Sequence, residues 1–151
     1  GYPISPDSVD VAGFYTRTAR AIHRIAPGLL TIYVDWQSVG NSTYFALTRK
    51  PRIWNSAYSY EFYGASWDAR LQARFDRYAE RAQAWGLPGW IDEFDAFGHG
   101  RRTIARIQQN PNWARETTSM LAQAKADRIG WSFLTAAPMD PAIVAVLKSA
   151  H

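Results

Sequence analysis

Four short apolar runs, separated by helix-sized stretches, most constrain what this chain can fold into. Residues 29–35 (LLTIYVD), 57–63 (AYSYEFY), 90–94 (WIDEF) and 128–134 (RIGWSFL) are β-branched and aromatic, and too short for helices. The first reads as a buried strand. Before it, Val11, Phe14, Tyr15, Ala19, Ile22 and Ile25 recur at helical spacing until Pro27-Gly28 stops them. Ser66 or Asp68 opens a helix running to about Trp85, where Gly86 closes it. Residues 113 to about 126 predict another helix, and Asp140-Pro141 opens a last one ending near Ser149. Residues 36 to about 56 read as a polar, proline-containing loop long enough to carry function. Gly98-His99-Gly100 leads through a short helix to Pro111. Strand-helix alternation of this kind predicts right-handed parallel βαβ units in an α/β domain. Four strands are half of a parallel (β/α) barrel of TIM type, whose usual length is about 250 residues.

Composition removes several function classes. The chain has 151 residues, with 17 basic against 13 acidic and a net charge of +4. The basic residues do not form the contiguous stripe that a phosphate backbone requires. Arg70, Arg74, Arg77 and Arg81 share a helix with Asp68, Asp76 and Glu80, the pattern of a solvated, ion-paired face. No nucleic-acid partner is expected. Cysteine is absent and only His23, His99 and His151 offer imidazole, none at metal-ligand spacing, so no metal and no cofactor are expected. His23, between Arg20 and Arg24, reads as surface. No apolar run approaches membrane-spanning length and no secretion signal stands in this chain. Aromatics reach 15%, with seven tryptophans, which predicts a thick core, a stacking surface or both. Trp85, Trp90, Trp113 and Trp131 read as core between helices and sheet.

In a parallel α/β protein the strand C-termini carry the chemistry. Those ends offer Asp35 and Trp36, Glu61 and Tyr63, Glu93 and Asp95, and Leu134 and Thr135. A carboxylate at the end of an apolar strand costs desolvation energy unless it is paired or functional, and Glu93 behind Trp90-Ile91 is the most conspicuous. Strand parity puts Ala57, Ser59, Glu61 and Tyr63 on one face and Tyr58, Tyr60 and Phe62 on the other. Small residues ending in an acid and a tyrosine suit a barrel interior, whereas bulky aromatics suit the layer against helices. Glu61, Tyr63 and Glu93 would then meet at one end of neighbouring strands.

These segments resemble family 5 glycoside hydrolases, the cellulase group. GLPGWIDEF resembles that family's seventh strand, AYSYEFYG its sixth, DRIGWSFL its eighth, and VAGFYTRTARAIHRIAPGLLTIYVD its fourth helix and fifth strand. The resemblance implies that residues 1–151 form a single domain, the C-terminal half of a (β/α)8 barrel covering about strands five to eight. It implies hydrolysis of O-glycosidic bonds in a β-linked polysaccharide or glycoconjugate by a retaining double displacement. Glu93 matches the nucleophile, and Tyr63 the tyrosine whose hydroxyl orients it. A secreted or extracellular location also follows from the resemblance alone.

Departures from the family pattern qualify that reading. Glu61 stands where the family has histidine, and Leu134 where it has a sugar-stacking tryptophan. Asp92 and Asp95 replace residues that are commonly glycine. The family's acid/base glutamate belongs to an Asn-Glu pair at the end of strand four, and this chain contains no Asn-Glu. The chain is therefore expected to begin just after that strand, with the acid/base residue missing and the chain inactive alone. Trp36 and His99 are candidates for substrate contact beside Leu134. Expected partners are a carbohydrate, and either the missing N-terminal half barrel or a second copy covering the unguarded edges at residues 29–35 and 128–134. The alternative is a non-catalytic α/β carbohydrate-binding or assembly module.

Overall fold

Strand-helix alternation produces a four-stranded parallel sheet in which every strand lies beside its predecessor in that sheet. The computed structural model describes residues 10–35, 37–39, 42–44, 46–64, 66–94, 97, 110–133 and 140–150. The elements are α1 (Val11–Ile25), β1 (Thr31–Val34), β2 (Gln37–Val39), β3 (Ser42–Tyr44), β4 (Ser56–Phe62), α2 (Ala69–Trp85), β5 (Gly89–Phe94), α3 (Trp113–Ala126), β6 (Gly130–Trp131) and α4 (Pro141–Ser149). The main sheet has the order β1-β4-β5-β6, all parallel. The chain is thus a mixed α/β protein. Residues 36–56 are not simply a loop: β2 and β3 pair antiparallel in a separate two-stranded sheet. Among the described residues no helix is long and apolar enough to cross a membrane.

Local chemistry sets the helix limits. Asp68 caps α2, accepting from the Leu71 amide at 2.8 Å, and Gly86 ends it at φ 62°, a left-handed position that glycine adopts without strain. Asp140 caps α4 in the same manner, with Pro141 at the first turn. Helix α1 buries Ala12, Thr16, Ala19 and His23 at three- and four-residue spacing, while Phe14 and Ile25 are exposed. The apolar set visible in sequence is therefore rotated from the buried stripe. His23 is not a surface residue. Its Nε2 lies 2.9 Å from the Leu29 carbonyl and 3.0 Å from Thr31 Oγ1, and its ring packs on Trp54.

The core is an aromatic layer between sheet and helices. Tyr33, Tyr58, Tyr60 and Phe62 are fully buried from the sheet side, and Phe75 and Tyr78 meet them from α2. Phe62 lies 5.3 Å from Phe75, and Tyr58 lies 5.1 Å from both Tyr78 and Trp85. Each large side chain taken out of water contributes about 1.5–3 kcal/mol. Trp131 packs edge-on against Phe94, and Trp113 borders the same cluster. Trp90 does not. It pairs with Ser59 and Gly130 on the opposite face, where a Cβ on Gly130 would sit 2.4 Å from the indole ring. Strand β1 is buried on one side only: Ile32 is 42% exposed, and Leu29 and Leu30 just before the strand are 51% and 49% exposed. Among the described strands β1 is an edge, paired with β4 alone.

Candidate active site

All four parallel strands point their C-terminal ends the same way, and the candidate residues converge there. Strands β4 and β5 pair Ser59 with Trp90 and Tyr60 with Ile91, and then the register slips so that Glu61 pairs with Glu93. The slip is a β-bulge with Asp92 as the extra residue. Strict alternation would send Asp92 and Glu93 to opposite faces. With the bulge, both reach the face that carries Ser59 and Glu61. Ser59 Oγ donates to Asp92 Oδ1 at 2.5 Å, and the Tyr63 hydroxyl donates to Glu93 Oε2. From beyond β6, Ser132 Oγ donates to the Asp92 carbonyl at 2.5 Å and the Ser132 amide to the Ile91 carbonyl at 2.8 Å.

Three carboxylates now share one half-buried face, and their charges oppose one another. Burial raises Glu61 to about 7, and the charges of Asp92 and Glu93 push it the same way. Burial also raises Asp92, against the hydrogen bond from Ser59. Glu61 is therefore close to half-protonated at neutral pH and can hold or release a proton there. Glu93, aimed by a phenol hydroxyl, is arranged as a fixed carboxylate acceptor or nucleophile. Among the described residues no three His, Cys, Asp or Glu side chains converge as metal ligands.

A second strand-end carboxylate is built differently. Asp35 follows β1, is fully buried and lies on the helix side with Tyr33. It accepts from the Leu47 amide at 2.5 Å, from the Tyr58 hydroxyl at 2.6 Å and from Arg81 Nη1 at 2.7 Å. Arg81 also donates to the Leu47 carbonyl at 2.9 Å and lies over the Trp85 ring. Burial raises the Asp35 carboxyl, and all three donors act against that. Arg81 is thus not part of a solvated helix face: it turns inward to hold Asp35 and the chain at residue 47.

Of the residues singled out in sequence, Glu61, Tyr63 and Glu93 come together. Trp36, His99 and Leu134 lie outside the described residues, as do Asp95 and Thr135. Sequence reasoning noted Asp92 only as a departure and gave Ser59 and Ser132 no role. Period two already places Asp92 on the face of Trp90 and Ser59; the bulge brings Glu93 to that face as well, and a period-two reading of WIDEF has no place for it.

Compared with protein-family models and with curated proteins, the chain matches none. Among solved structures it is similar to the endo-β-1,4-glucanase Xac0030 of Xanthomonas axonopodis pv. citri, a triple-substitution variant, with TM-score 0.63 and 18% identity. The likeness covers 98% of this chain and 56% of the glucanase. The two share a fold. This chain spans little more than half the length of that enzyme, and its parallel sheet corresponds to part of it.

Proposed function

We propose that this chain is the C-terminal half of a retaining β-glycosidase barrel of the family 5 type, contributing strands five to eight. Its substrate would be a β-linked, glucan-like polysaccharide. The observation that carries the reading is the Tyr63 hydroxyl donating to Glu93 at the C-terminal ends of adjacent parallel strands. The fold shared with an endoglucanase adds support. In the first step a Glu93 oxygen bonds to the anomeric carbon as the glycosidic C–O bond breaks. The leaving oxygen takes a proton from an acid/base glutamate in the other half of the barrel, at about 5 Å from Glu93. In the second step water attacks the anomeric carbon, gives its proton to that glutamate and frees Glu93. Tyr63 holds the attacking carboxylate in line.

The other half also accounts for the uncovered residues Ile32 on β1 and Leu29 and Leu30 just before it. Without it, burying that edge by self-association is the available remedy, and this chain alone should sediment as a dimer or larger species. The deciding experiment treats the barrel-length protein with a 2-deoxy-2-fluoro-β-glycoside carrying a good leaving group, followed by peptide mass mapping. A sugar ester on Glu93 is expected. A label on another carboxylate overturns the assignment, and no label on the folded protein favours the non-catalytic carbohydrate-binding module.

A further inference from the structure

We propose that Asp92 is a positioning residue for Glu93, locking the peptide unit between them so that the Glu93 carboxylate faces Tyr63; the inference rests on reading Glu93 as the nucleophile. A β-bulge disrupts the ladder locally, so the extra residue has to be fixed by other bonds. Here the extra residue is tied to its neighbours through its own side chain and its carbonyl. The Asp92 carboxylate accepts from the Ser59 hydroxyl on β4 at 2.5 Å. The carbonyl of the same Asp92–Glu93 peptide accepts from Ser132 Oγ. Asp92 is therefore held on both sides, its carboxylate by Ser59 on β4 and its carbonyl, part of the peptide plane that leads to Glu93, by Ser132 just beyond β6. That plane fixes the backbone torsions on either side of it, and so the direction in which the Glu93 side chain leaves the strand. Glycine, the residue the family commonly carries at this point, has no acceptor to offer. A misplacement of about 1 Å at a reacting group costs about a hundredfold in rate, so a fixed plane matters to a carboxylate that must attack one carbon.

The carboxylate is not needed for its charge. An asparagine oxygen can accept the same bond from Ser59, so the isosteric and truncated variants separate aim from charge. In the barrel-length protein, Asp92→Ala should lower kcat by about 10- to 100-fold with KM within about twofold, while Asp92→Asn stays within about threefold of the parent. A second readout needs no turnover. The ¹³Cζ resonance of Tyr63 in this chain reports the hydrogen bond its hydroxyl makes to Glu93. It should move in Asp92→Ala and in Ser132→Ala, and stay in Asp92→Asn. Should Asp92→Ala fail to fold, Ser132→Ala carries the same test from the carbonyl side. An unmoved Tyr63 resonance in Ser132→Ala and in any folded Asp92→Ala overturns the proposal, as does an Asn variant as damaged as the Ala variant. Normal turnover in Glu93→Gln would instead sink the nucleophile reading and leave the resonance test standing.

Discussion

Asp35 and the Glu61–Asp92–Glu93 group both put carboxylates at the C-terminal end of the sheet, and burial raises Asp35, Glu61 and Asp92. Their neighbours differ in sign. Around Asp35 stand a guanidinium, a phenol hydroxyl and an amide, each favouring the charged form. Around Glu61 stand two further carboxylates, which favour the neutral one. Desolvation therefore does not by itself mark a site. The first arrangement is a tie between a strand, a loop and a helix, and the second holds charge that folding alone does not need. The two also sit on opposite faces of one sheet, Asp35 among the packed aromatics and the acid group on the face of small side chains.

The sharpest way to break that contrast is to remove one carboxylate from each side. Glu93→Gln should lower turnover of the barrel-length protein by at least about 10³-fold, because no glycosyl ester can form, while its urea midpoint stays near the parent's. Tyr63→Phe should cost less, about tenfold to a thousandfold, since the hydroxyl orients the attacking group without forming the bond. Asp35→Ala should do the reverse. It strands the Arg81 guanidinium and is expected to lower unfolding free energy by about 3 kcal/mol, the lower end for a buried pair because Arg81 is 31% exposed. Turnover per folded molecule should hold. An Asp35 variant that loses rate without stability, or a Glu93 variant that does the opposite, would dissolve the distinction.

The smallest effect concerns pH. Glu61 is raised from 4.5 to about 7 in the folded chain, so the folded state keeps a proton that the unfolded state has lost. That contribution is fully present below about pH 4.5 and is lost as pH rises through about 7. Urea midpoints should therefore fall across that window, and Glu61→Gln should flatten the fall. A profile in the variant as steep as the parent's would assign the slope to other groups.

Much of the frame was legible because it is local. Asp68, Gly86 and Asp140-Pro141 act within a turn of their own helices, and the alternation over residues 57–63 sorts Tyr58, Tyr60 and Phe62 from Ala57 and Ser59 without help from elsewhere. What tertiary contact decides was not legible. His23 sits between two arginines in sequence, yet the Leu29 carbonyl and Thr31 fold over it. Arg81 looks like Arg74 and Arg77 until the residue 47 chain closes on it. Trp90 faces away from the helices because a glycine stands opposite it on β6. The β2–β3 pairing had one signal, the dipeptide Gly40-Asn41 between short alternating stretches, a combination that favours tight hairpins. Glu61, Tyr63 and Glu93 could be brought together from strand ends alone, whereas the bulge beneath them could not.

The unequal length of the strands has a consequence for how the sheet breathes. Strand β4 runs for seven residues and pairs on both sides, while β6 has two residues and pairs with β5 alone among the described strands. Local opening follows the weakest pairing, so amide hydrogens of Gly130 and Trp131 should exchange with solvent well before those of Tyr58 and Tyr60. Ser132 follows directly on that short strand. Each opening of β6 would release the hydroxyl that grips the Asp92 carbonyl, so the least protected part of the sheet times how long the Glu93 carboxylate stays aimed.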